Sequence, residues 1–236
     1  MPVQGVSNHI RLTRRLNIGR QRPCSVDWCR EITVGLSNFC PRHRGRKRNT
    51  GDPQGNTLLR SYVRSHATKA KAYILSNRGH TAIEAGLSWS LKWLQSGQSY
   101  GWNWQGLDPK QQAKQYLHRL AAEGTHEADV LGTITALLFI REYISGRVIS
   151  DEHFKHQLVV HILGLAPWPQ IGGGGNSRKR YFRPTPQAVG ILWSQLPTEV
   201  LFLAHRIAEK INESDVGPCV NRNAINQPLP IHGEKY

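Results

Sequence analysis

Three cysteines and a histidine set the tightest limit on how this chain can fold. Cys24 and Cys29 are separated by four residues, and a ten-residue loop leads to Cys40, which stands three positions before His43. Thiolate and imidazole are the ligands of a tetrahedral zinc ion, and two short-spaced pairs joined by a loop supply four of them. About thirty residues cannot build a core of their own, so the metal substitutes for it. The alternative is three buried thiols beside an unrelated histidine, which such a polar segment disfavours. A site closed by four protein ligands keeps no position open for a substrate, so a structural zinc is expected. Three clustered cysteines and a distant Cys219 do not make a disulfide framework, and this fits a reducing cytoplasm.

The residues beside the second ligand pair are basic. Arg42, Arg44, Arg46, Lys47 and Arg48 fall within seven positions. The whole chain carries a net charge of +15, and its distribution is uneven. Residues 1–80 hold sixteen Lys/Arg against three Asp/Glu, a surplus of thirteen; the rest holds fifteen against thirteen. Four of those fifteen are Arg178, Lys179, Arg180 and Arg183. A basic front end on a near-neutral body points to a polyanionic partner, most simply nucleic acid. Five cations on a rigid knuckle would neutralise phosphates and release counterions. The basic stretch lacks the apolar helical face that a membrane surface would require.

The motif that follows the first cysteine pair resembles a known cassette. Gly35-Leu36, then Cys40-x-x-His43, then Arg46, then Gly51-Asp52-Pro53 is similar to a zinc-binding cassette common in bacteriophage and mobile-element proteins. There it often stands beside an HNH nuclease domain. The resemblance covers residues 24–53, and it implies zinc and a mobile-element setting. Ser37, Asn38 and Phe39 are an insertion relative to that pattern, and Arg44 replaces an aromatic residue.

The remainder reads as mainly α. Residues 1–23 form a basic arm, 24–55 the zinc module, 56–214 a helical domain, and 215–236 an extended tail rich in Pro, Asn and Gly. The turn sequence TGDPQGN ends the module. Apolar spacing predicts a helix from about Thr57 to Leu75, with Leu58, Leu59, Tyr62 and Val63 inward and Arg60, Arg64, Lys69 and Lys71 outward. A second helix is predicted over 80–95, with Ile83, Leu87, Leu91 and Leu94 as its stripe. Asp108-Pro109 and Thr185-Pro186 are cap-then-proline signals that open helices. Thr125 is expected to cap a helix through the apolar run VLGTITALLFI, and Ser150 or Asp151 to start another. That run is too short to span a bilayer. A helix over 198–213 completes the set. The Gly-rich segment 171–184 suits a small β-wing, so a winged-helix-like part is an option there.

Catalytic patterns are scarce. Segment 171–184 lacks the Lys-Ser/Thr pair of a phosphate-binding loop and the strand before it. Its basic residues Arg178, Lys179 and Arg180 suit a nucleic-acid backbone, and Tyr181 and Phe182 suit base stacking or anchoring. His153, His156 and His161 share a helical face, which satisfied histidines do more often than metal ligands. Trp89 and Trp93, with Trp102 and Trp104, read as core rather than as a stacking platform. Asn221, Asn223, Asn226 and His232 in the tail offer no helix for an HNH ligand. The expectation is a non-enzymatic, zinc-stabilised protein of a phage or mobile element that binds nucleic acid, most simply duplex DNA. Its nucleic-acid contacts would come from Arg42, Arg44, Arg46, Lys47, Arg48, Arg60 and Arg64 besides the loop cations. Its helical body would meet a protein partner or a second copy. A metal-dependent nuclease and an RNA-binding subunit of a ribonucleoprotein are the alternatives.

Overall fold

The computed structural model describes residues 22–33, 35–101, 106–167, 170–171, 180–181 and 183–215. Eight helices lie within them: α1 (Pro41–Thr50), α2 (Arg60–Ser76), α3 (Thr81–Gln95), α4 (Pro109–Ala122), α5 (Glu127–Tyr143), α6 (Asp151–Leu163), α7 (Pro186–Ser194) and α8 (Thr198–Asp215). The chain is mainly helical, as its apolar spacing and caps predict.

Helix α5 organises the body because it has no polar face to offer water. Every residue from Val130 to Ile140 is buried, and a helix that is apolar all round must be enclosed by others. α2, α3, α6 and α8 surround it. Enclosure removes Leu131, Ile134, Leu137 and Ile140 completely from solvent, each such side chain being worth about 1.5–3 kcal/mol. α4 and α7 pack against each other and against this inner set. No described helix is long and apolar enough to cross a membrane.

The caps fix where the helices begin. Asp108 accepts from the Gln111 amide at 2.9 Å, and the Gln111 side chain accepts from the Asp108 amide at 3.1 Å, a complete capping box on α4. Thr185 caps α7 by accepting from Ala188, and its hydroxyl donates to Gln112 of α4 at 3.1 Å. The cap of α5 is His126 rather than Thr125, its Nδ1 accepting from the Ala128 amide at 3.2 Å. Two inward assignments also change. Leu59 is 71% exposed and Leu91 44% exposed, and Trp93 takes the inward place on α3. Trp93 stacks on Trp89 with ring centroids 5.4 Å apart and donates its indole N–H to Gln195 at 2.8 Å. The pair therefore belongs to the core.

Between α6 and α7, β1 (Gln170–Ile171) and β2 (Arg180–Tyr181) pair antiparallel, with Gln170 opposite Tyr181. This two-rung ladder is what the described residues hold of the expected wing. Arg178 and Lys179 lie outside the described residues, as do the side chain of Arg180, Trp102, Trp104, the first twenty-one residues of the arm and the tail from 216.

Candidate metal centre and the basic helix

The metal module is a hairpin followed by a helix. Pro23 pairs antiparallel with Ile32, and the Cys24 amide donates to the Glu31 carbonyl at 3.1 Å. A tight turn closed by the Cys29 amide on the Val26 carbonyl, at 2.8 Å, carries the first two cysteines. Cys40 sits at the N-cap of α1 with Pro41 at its first position, so Cys40 and His43 share the first turn of that helix. Hairpin and helix bring the four side chains together.

The ligand atoms of Cys24, Cys29, Cys40 and His43 all lie within 4.8 Å of one another. Cys24 Sγ is 3.3 Å and Cys40 Sγ 3.4 Å from His43 Nδ1, and Cys29 Sγ is 4.0 Å from Cys40 Sγ. A tetrahedral ion with bonds of about 2.3 Å to sulfur and 2.0–2.1 Å to nitrogen spaces its ligands by roughly 3.5–3.8 Å. The four residues therefore fit a metal ion, and none of the three cysteines forms a disulfide. The Nε2 of His43 is buried and faces no hydrogen-bond partner, so Nδ1 is the nitrogen directed at the cluster.

Electrostatics supports a cation at the centre. Desolvation opposes ionisation of Cys24. The Cys40 and Val26 backbone, His43 and Cys29 outweigh it and bring the thiol down to about 6. Desolvation, Glu31 and the two neighbouring thiols instead push Cys40 up to about 11. The surroundings thus favour the Cys24 thiolate, and ionising Cys40 beside it needs a positive ion close by. Cys24, Val26 and Cys40, with Cys29 and Phe39 against them, form a small cluster separate from the main core.

Helix α1 was not legible from apolar spacing, because it has none. Half of its ten residues are Arg or Lys, and only His43 and Thr50 are buried. A ten-residue helix of this composition is unstable by itself, so its ends must hold it. Cys40 and His43 hold the first end. The other end is clamped to α6. Gly51 terminates α1 with φ 83° and donates to the Lys47 carbonyl at 2.9 Å. A Cβ on Gly51 would stand 2.4 Å from the Glu152 carbonyl oxygen. Next, Asp52 accepts from Ser150 at 2.7 Å and from the Gln54 amide at 2.8 Å. His153 donates from Nε2 to the Asn56 carbonyl at 2.8 Å while its Nδ1 accepts from the Ile149 amide at 3.4 Å. Gln157 accepts from the Leu58 amide at 3.1 Å, and the Arg60 guanidinium donates to the Gly164 carbonyl. Residues 51–60 thus run as a strap along α6 from its first turn to its end.

The strap explains the histidines of α6. His153 bonds the strap directly, while His156 and His161 interact with the Asn49 and Leu58 backbones. Burial lowers all three from the ordinary histidine value, His161 to about 4. They are docking residues, and among the described residues the Cys24–His43 group is the one set of His, Cys, Asp and Glu placed to hold a metal.

The basic residues separate into groups. Arg42, Arg44, Lys47 and Arg48 are exposed and Arg46 is half-buried, and none forms an ion pair among the described residues. The ammonium of Lys47 lies 4.9 Å from the centre of the Phe39 ring. Arg60 and Arg64 line a different cleft of about 1070 Å³ with Lys71 and His161. Along α6, Arg60 is roughly 18 Å from the α1 clamp, at 1.5 Å per residue. Comparison of the sequence with protein-family models and curated proteins, and of the fold with solved structures, finds no match.

Proposed function

We propose that this is a zinc-stabilised nucleic-acid-binding protein that acts on duplex DNA without catalysing a reaction on it. The observation that carries the reading is α1: five cations on ten residues, none paired with a carboxylate among the described residues, on a helix fixed at both ends. Cations left unneutralised on a rigid support suit a polyanion, because no acidic side chain must first be displaced and little ordering is needed on binding. Three thiolates and an imidazole in tetrahedral reach suit zinc among the common ions. Arg60 and Arg64, and the loop cations Arg178, Lys179 and Arg180, extend the phosphate-binding surface in this reading. The cassette-like residues from Gly35 to Pro53 favour a phage or mobile-element setting and a bacterial cytoplasm.

The helical body is the proposed partner or self-association surface. An apolar groove of about 620 Å³ runs between α3 and α8, and Phe202 at its edge is 66% exposed. The test of the reading is a salt titration of zinc-loaded protein on a fluorescent duplex. Binding at low salt should weaken linearly on a log–log plot, and each of Arg42→Ala and Arg46→Ala should lower the slope by about 0.9. Absence of binding at low salt would refute the reading. Divalent-dependent cleavage of the duplex would favour the nuclease alternative.

A further inference from the structure

Helix α1 does not present its cations all round. Arg44, Lys47, Arg48 and Gly51 follow the i, i+3, i+4, i+7 spacing of one helical face, and that face forms one wall of a cleft of about 500 Å³. The opposite wall is α7, through Val189, Gly190 and Trp193. Lys155 and Glu152 of α6 lie between them, and these two pair with each other at 2.6 Å. The cleft thus keeps an excess of three cations. Its α7 wall is apolar and ends in a half-buried indole braced edge-on against Phe154, at 5.9 Å between centroids. Above Gly190 the wall is open, since an added Cβ would meet nothing within 4 Å.

A bare phosphate has no use for the apolar wall, and an apolar ligand has no use for three unpaired cations. The arrangement suits a ligand that is anionic on one side and carries a flat ring on the other. We infer that the cleft receives an unpaired nucleotide of a nucleic-acid strand, its phosphates on Arg44, Lys47 and Arg48 and its base against Trp193. In a duplex the bases are already stacked and out of reach of a side chain in such a cleft. The site therefore selects a single strand, an overhang or an extruded base. This inference rests on the proposed nucleic-acid reading and adds strand form to it. Arg42 and Arg46, one turn apart and outside the cleft, remain for the flanking backbone.

The experiment uses the full zinc-loaded chain, fluorescein-labelled (dT)10 and a blunt-ended duplex hairpin, read by anisotropy. Trp193→Leu should weaken (dT)10 by roughly 5–150-fold, the range expected for loss of one stacked base, and leave the duplex unchanged. Trp193→Phe should keep most of the affinity. Gly190→Leu guards against misfolding, because leucine is the better helix former and its side chain enters the cleft rather than the core. It too should weaken (dT)10 selectively. Unchanged (dT)10 affinity in both Trp193→Leu and Gly190→Leu, or equal losses on duplex, overturns the inference. Wild-type protein that binds the duplex but not (dT)10 sinks the cleft and leaves the broader reading standing. Failure to bind either probe removes both. Displacement of (dT)10 by an equal concentration of a Glu/Tyr peptide would assign the cleft to acidic protein instead. With cleft-dependent binding in hand, tighter binding of (dT)10 than (U)10 assigns the strand to DNA, and the reverse order assigns it to RNA.

Discussion

The carboxylate of Asp52 accepts a 2.7 Å hydrogen bond from the hydroxyl of Ser150, ninety-eight residues further along the chain. Ser150 is also the N-cap of α6, accepting from the His153 amide at 3.2 Å. One hydroxyl therefore both starts a body helix and holds the end of the metal module.

Replacing Asp52 should loosen that junction. Asp52→Ala is expected to cost about 1–2 kcal/mol, the range for a partly exposed bond to a charged group. Desolvation raises the carboxyl, but Ser150, the Gln54 and Gly55 amides and His153 outweigh it and hold it below its ordinary 3.8. A depressed folded value means that the stabilisation is present above 3.8 and is lost as pH falls from there. Thermal unfolding from pH 5 to 3 checks the sign, and Asp52→Asn should show a shallower acid limb.

Metal removal should melt the module and spare the body, because their apolar clusters are separate. One metal ion per chain is expected by elemental analysis, and none after Cys40→Ala or His43→Ala. Circular dichroism should lose about one α1-length of helix while the main thermal transition persists. Full metal content in both variants would refute the ligand assignment. Release should rise as pH falls, since protons compete for the ligands.

Gly51→Ala should be far costlier than Gly79→Ala. Both glycines have positive φ, but an added Cβ at Gly79 meets nothing within 4 Å, whereas at Gly51 it strikes the Glu152 carbonyl and the His156 Cβ. Urea denaturation should show a loss of about 1 kcal/mol at Gly79 from the left-handed backbone alone. At Gly51, overpacking should add at least about 1–3 kcal/mol.

His161 makes the body acid-sensitive in a higher window. Desolvation is the main reason its folded value falls to about 4 from 6.5, so the unfolded chain binds the proton first. Stability is fully present above 6.5 and declines toward pH 4, by about 3 kcal/mol in all. Melting curves between pH 7 and 4.5 should shift less for His161→Gln than for the unaltered protein.

Most of the body was legible because its signals are local. Asp108-Pro109, Ser150 and Thr185-Pro186 cap helices where their sequence says they should, and the run from Val130 to Ile140 can only be core. That Cys24, Cys29, Cys40 and His43 come together was legible for the same reason, their spacing being the whole of the signal. Helix α1 carried only half of the cap-then-proline signal, since Pro41 opens it but Cys40 makes no side-chain cap bond, and it lacks an apolar stripe. The strap had no such signal. His153, Gln157 and Arg60 bond to backbone groups of distant residues, and a carbonyl looks the same whatever side chain it bears. Leu59 and Leu91 were assigned inward by period alone, which cannot tell where neighbouring helices end.

Helix α1 is fixed by what precedes and follows it, and its exposed residues contribute little to holding it in place. Its outward positions can therefore change identity at small cost to folding. If those positions carry the proposed nucleic-acid contacts, preference can drift from one target to another while the scaffold that displays them stays the same.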